Sequence, residues 1–167
     1  AMVVMFSSLS AWSATNCPNS IQEFYLSAFS SLKSMKRTLT GPELSTVARE
    51  AVAEVLDWVR NPAAAPKPGR NQQAAAVRLS TALLADLAPG NSVEVRVPPF
   101  AAVQCVSGPE HRRGTPPNVV QCSPLEWLRL VVGEVAFSSS DADFSGTRAG
   151  DIARYLPLLR FPTTSSR

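Results

Sequence analysis

Residues 92–118 read SVEVRVPPFAAVQCVSGPEHRRGTPPN, and the change of period inside this stretch decides the fold class. Val93, Val95 and Val97 alternate with Glu94 and Arg96, the two-residue repeat of a strand with one apolar face. Pro98 and Pro99 have no amide hydrogens for a ladder, so the strand ends or bulges there, and AAVQCV then resumes as a second strand. An antiparallel hairpin is the simplest pairing. Beyond the polar loop, NVVQC at 118–122 supplies a third strand.

Working outward from this stretch, the pattern turns helical on both sides. Downstream, Ser123-Pro124-Leu125-Glu126 combines a cap, a proline in the first turn and a reciprocal glutamate, which predicts a helix start; Gly133 ends that helix. ADFSG at 142–146 reads as a last strand, and Asp151 as the cap of a short helix that Pro157 interrupts. Upstream, Asn71 to Leu87 carries a stripe of Ala76, Leu79, Leu83, Leu84 and Leu87 before Pro89-Gly90. NPAAAPKPGR at 61–70 is a linker. Thr40 with Glu43 predicts a capping box for a helix bearing Leu44, Val47, Ala48, Ala51, Val55 and Trp58. Ser20 with Glu23 predicts another, running to Met35 and carrying Phe24, Tyr25, Phe29 and Leu32. The expected organisation is α+β: an N-terminal helical segment at 1–60, the linker at 61–70 and an α+β region at 71–167, together forming one compact domain.

Composition narrows the function classes. At 167 residues the chain fits a single core, and 45% apolar against 17% charged residues excludes extended disorder. The net charge of +3 is spread along the chain, which argues against nucleic-acid binding. No run approaches the roughly 20 apolar residues of a membrane-spanning helix. Cys17, Cys105 and Cys122 lack the even count and spacing of a disulfide framework, and the first residues lack the basic start of a signal peptide. A cytoplasmic location is expected.

Two groups of residues are candidates for a site. The loop that follows the hairpin carries His111, Arg112, Arg113, Thr115 and Asn118 around Gly114; paired guanidiniums, a hydroxyl and an amide suit a phosphate or carboxylate, although a solvated connection has the same composition. Arg148 near Asp151 is either a further cation beside the loop or part of a helix-capping ion pair. The second group is apolar: Val95, Val97, Phe100, Val103, Trp127, Leu128, Val131, Phe144 and Leu156, with Leu159, are what a sheet under helices turns inward. They fit a solid core and a lined cavity equally well. No catalytic residues stand out, since Cys105 and Cys122 sit in predicted strands with no acid to orient His111 as a base. One histidine and scattered cysteines give no metal spacing, and no cofactor motif is present.

The wording PPFAAVQC, PEHRRGTPPNVVQCSPLEWLRLVVGE and DADFSGTRAGDIARYLPLL resembles the actinobacterial branch of the sterol carrier protein-like family, over about residues 71–160. The resemblance implies a mixed, mainly antiparallel sheet covered on one face by helices, with a hydrophobic cavity between the layers for a lipid or fatty acyl chain. The Ser-Lys-Leu address of peroxisomal members is not seen at the C-terminus. The expected role is non-catalytic binding or carriage of a hydrophobic molecule with an acidic head. The alternative is a regulatory or scaffolding module that binds protein through its apolar surfaces, with a homodimer formed through the N-terminal helices.

Overall fold

The computed structural model describes residues 39–108 and 118–162; the expected helix from Ser20 to Met35, and the dimer surface it would offer, lie outside the described residues. Helix α1 spans Gly41–Ala53, α2 Leu56–Arg60, α3 Arg70–Leu87 and α4 Pro124–Val132, with strands β1 Val93–Val97, β2 Ala101–Cys105, β3 Val119–Gln121 and β4 Asp143–Ser145. Two 3₁₀ turns, Phe137–Ser139 and Ala149–Tyr155, complete the order. The sheet runs β2-β1-β3-β4. β1 pairs antiparallel with β2 and parallel with β3, and β3 pairs antiparallel with β4, so the expected mixed α+β architecture is the one observed. No helix among the described residues is long and apolar enough to cross a membrane.

The alternation in β1 does what its period requires. Val93, Val95 and Val97 are buried while Glu94 and Arg96 are half-buried and pair with each other on the other face. Opposite Val95 lie Val103 on β2 and Val120 on β3, and Val120 is fully buried. The valine face therefore continues across the three strands. Complete burial of each such side chain is worth about 1.5–3 kcal/mol.

Helix α3 packs on both α1 and β2, and α4 packs on α3 and α2, which puts a helical layer on the valine face. Within it, Leu44, Ala48 and Val52 of α1 join Ala76, Val77, Leu83 and Leu84 of α3 in one apolar cluster with Trp127, Leu128 and Val131 of α4. Trp127 is fully buried, and its indole N–H donates to Ser80 Oγ at 2.9 Å. The hydroxyl of Ser80 in turn reaches the Ala76 carbonyl at 2.6 Å, so the large ring is buried without orphaning its one polar atom.

The local expectations are met unevenly. The helix expected from Thr40 to Trp58 is interrupted at Glu54 and Val55, and Thr40, though at the N-cap, makes no side-chain capping bond; the first amide of α1, that of Gly41, donates to Asp86 Oδ2 instead. At α4 the Ser123 hydroxyl accepts from the Glu126 amide, but the Glu126 carboxylate reaches Asp141 N at 3.0 Å rather than closing the box. Gly133 ends α4 in the left-handed region, at φ 83°, as a C-terminal glycine allows. Asp151 falls inside the last 3₁₀ turn, whose N-cap is Arg148. Leu87, assigned to the apolar stripe of α3, is 52% exposed as the last residue of that helix, while Ser80 and Thr81 are buried on it with their hydroxyls bonded back to the helix carbonyls.

Candidate functional site

A groove of about 620 Å³ opens where three connections meet. Its apolar walls are Trp58 from α2, Pro99 and Phe100 from the β1–β2 turn, and Pro124 and Leu125 from the first turn of α4; Lys67, Arg70 and Gln73 form its polar edge, with Ser123 beside them. Hydrogen bonds fix two sides of it. Arg78 on α3 donates through Nε to the Phe100 carbonyl at 3.1 Å, holding the hairpin turn against the helix. Gln73, 7% exposed, donates to the Pro68 carbonyl at 2.7 Å, and the Gly69 amide donates to Gln72 Oε1 at 3.0 Å. These bonds pin the end of the 61–70 linker to α3, and Lys67 sits between two prolines that limit its backbone. At the α4 wall, Pro124 takes the first helical position, where its missing N–H costs nothing.

A second groove, of about 460 Å³, lies at the other end of α4. Leu130, Gly133, Val135, Phe137, Leu156 and Pro157 are among its lining residues. Nearby, Phe137 and Phe144 stack with ring centroids 4.6 Å apart, a geometry that holds Phe144 in place although it is 45% exposed.

The residues expected to line an apolar cavity separate into three groups. Val95, Val97, Trp127, Leu128 and Val131 are fully buried in the common cluster, where they pack on each other. Val103 is half-buried on β2 at the edge of the same cluster. Phe100 lines the first groove and Leu156 the second, while Phe144 faces outward beside Phe137.

Of the polar candidates, His111, Arg112, Arg113 and Thr115 lie outside the described residues. Asn118 and Arg148 join one hydrogen-bonded cluster. The Asn118 amide donates to the Ser92 carbonyl at 2.8 Å and its oxygen accepts from Arg148 N at 3.0 Å. The Arg148 guanidinium donates to Asp151 Oδ2, Ser92 Oγ and the Ser107 carbonyl at 2.8, 2.8 and 3.0 Å. All three of its nitrogens are engaged, so in this arrangement Arg148 ties Ser107 and Asn118, the two ends of the 109–117 loop, to the last 3₁₀ turn. Gly108 belongs to the same cluster, since a β-carbon there would stand 1.7 Å from Arg148 Nη1.

The two described thiols are buried and poorly suited to nucleophilic chemistry. Burial pushes Cys105 up to about 11; burial, helped by the nearby Glu126 carboxylate, pushes Cys122 up to about 12. Both remain protonated at neutral pH, and a thiol attacks as its thiolate.

Sequence reading nominated Phe100 but missed the other walls of the first groove. Lys67 and Arg70 were visible in PKPGR only as part of a connection. The usable signal was a lysine held between two prolines just ahead of a helix that begins with arginine.

The model of the family described as bacterial SCP ortholog matches residues 69–158, a span that begins at the N-cap of α3 and takes in the whole sheet and α4. Comparison with curated proteins gives no match. With more than half of its length matched, and with the mixed sheet under helices in place, the chain belongs to the bacterial branch of the sterol carrier protein-like family.

Proposed function

We propose that the protein binds or carries a hydrophobic molecule of the lipid or fatty acyl class without transforming it, and that the first groove receives it. The groove's aromatic and proline walls carry this reading. Its volume falls within the roughly 300–1,000 Å³ of small-molecule sites, and its make-up, mostly apolar with a few convergent polar groups, is theirs too. Membership of a carrier family points the same way. The buried thiols leave Cys105 and Cys122 without a nucleophile's chemistry.

The apolar candidates on β1 and α4 then serve the fold, giving the groove rigid walls. Native mass spectrometry of the purified protein, followed by denaturing extraction and lipid analysis, tests the reading. A stoichiometric acyl or isoprenoid mass is the expected result. A clean apo mass from protein that also fails to take up added fatty acids and lipids would overturn it. That outcome would favour the scaffolding alternative, for which the packed core and the exposed Leu87 and Phe144 are the supporting observations.

A further inference from the structure

Resting on that reading, the edge of the first groove says which end of a ligand lies where. We propose that the ligand's polar end is an anion, a carboxylate or a phosphate, held at the mouth of this groove by Lys67 and Arg70, so that the protein selects ionised amphiphiles over neutral ones of equal length. Both side chains belong to exposed residues on the groove's rim, while Trp58, Phe100 and Leu125 form its apolar body. None of the lining residues is acidic, and among the described residues no carboxylate forms an ion pair with either cation. An anion placed there would meet two positive charges without displacing a carboxylate partner among the described residues.

The backbone adds to the same field. Arg70 is the first residue of the 18-residue helix α3, whose opening amides point out of the helix start with the positive end of its dipole. The start of α4 adds little to this field, because Pro124 has no amide hydrogen, Ser123 already accepts from the Glu126 amide and Glu126 itself is acidic. The Gln73 bond to the Pro68 carbonyl and the Gln72 bond to the Gly69 amide hold the Lys67–Arg70 segment in place before any ligand arrives. The backbone that carries both cations is therefore set in advance, and only their exposed side chains are left to be ordered by the head.

Calorimetric titration with three probes of one chain length, dodecanoate, dodecyl phosphate and dodecanol, tests this directly. The expected result is that at least one anion binds about tenfold more tightly than the alcohol, as two partly exposed ion pairs would provide. The preference should shrink as salt is raised and vanish in the Lys67→Gln/Arg70→Gln variant. The relative affinities of dodecanoate and dodecyl phosphate identify the head. That variant should melt as the wild type does, since both residues are exposed. Equal binding of the three probes, or a preference that survives in the variant, would overturn the anion site while leaving a hydrophobic ligand in place. Failure of all three to bind would overturn the anion site, and together with a clean apo mass in native mass spectrometry it would overturn the carrier reading too.

Discussion

The two grooves lie at opposite ends of α4 and differ in charge. The one at its start holds about 620 Å³ between Trp58, Phe100 and Leu125 and is edged by Lys67 and Arg70; the one at its end holds about 460 Å³ and has no charged side chain in its lining. Both are apolar hollows on the surface of a filled core. What separates them is that the first also gathers cations and the start of α3, whose dipole favours an anion, whereas the second collects the end of α4, where carbonyls do not. An apolar hollow alone gives affinity for any greasy surface. Polar groups that converge on it give orientation and choice.

The largest effect is expected in the core that both grooves share. Replacing Trp127 with Ala removes the largest fully buried side chain and leaves Ser80 Oγ without its indole donor, so stability should fall by about 3–5 kcal/mol. Urea unfolding followed by tryptophan-independent circular dichroism would measure this, and ligand binding at the first groove should be lost wherever the fold is lost.

A smaller effect is expected at the Arg148 cluster. Arg148→Ala should cost about 1–3 kcal/mol by removing its bonds to Asp151, which keeps Arg154, and to Ser92 Oγ and the Ser107 carbonyl. Gly108→Ala should cost a similar amount, because its β-carbon would displace the guanidinium. Since both act through one set of bonds, the double variant should be little worse than either single one; additive losses in a thermal-unfolding cycle would show that Gly108 acts elsewhere. Neither variant should alter dodecanoate affinity in protein that remains folded.

The thiols sharpen the distinction between core and groove through pH. Cys105 and Cys122 are held above the unfolded thiol value, so the folded state keeps its protons while the unfolded chain releases them. The stabilisation is complete below about pH 9 and is lost as pH rises towards about 11–12. Iodoacetamide labelling mapped by peptide mass spectrometry should leave both residues unmodified in the native protein at pH 8 and modify both in urea. Rapid native labelling of either would place it at the surface.

The mildest changes address the grooves one at a time. Phe100→Ala should weaken an acyl ligand several-fold, the loss of part of a half-buried ring being worth about 1 kcal/mol of apolar contact. Leu156→Lys, which puts a charge into the second groove, should leave that affinity unchanged. The reverse pattern in the same calorimetric titration would move the ligand to the second groove.

Much of the framework was legible in the chain because its signals are local. The alternation of Val93, Val95 and Val97 marked a strand with one buried face, and Ser123-Pro124 and Gly133 marked the two ends of α4. The weaker local signals gave way to tertiary partners. Thr40 offered a cap, yet the amide of Gly41 found Asp86 on another helix, and Glu126 bonded Asp141 instead of completing its own box. Leu87 matched the helical period but fell beyond the edge of the packed face. For the candidate site the difference is sharper. Phe100 could be singled out as apolar, while Trp58 read as the end of a helix, Lys67 as linker and Leu125 as part of a cap.

What the chain fixed locally was the buried face of β1, the two ends of α4 and the family it resembles, because these depend on residue types at short, fixed spacings. Only the tertiary structure decided that β3 lies parallel beside β1, that Trp127 and the valine face fill a core, and that Trp58, Lys67, Arg70, Phe100 and Leu125 meet at one groove. Those residues span positions 58 to 125, and no local preference links them. Their meeting is set by how the helical layer seats on the sheet, which is a property of the packed whole.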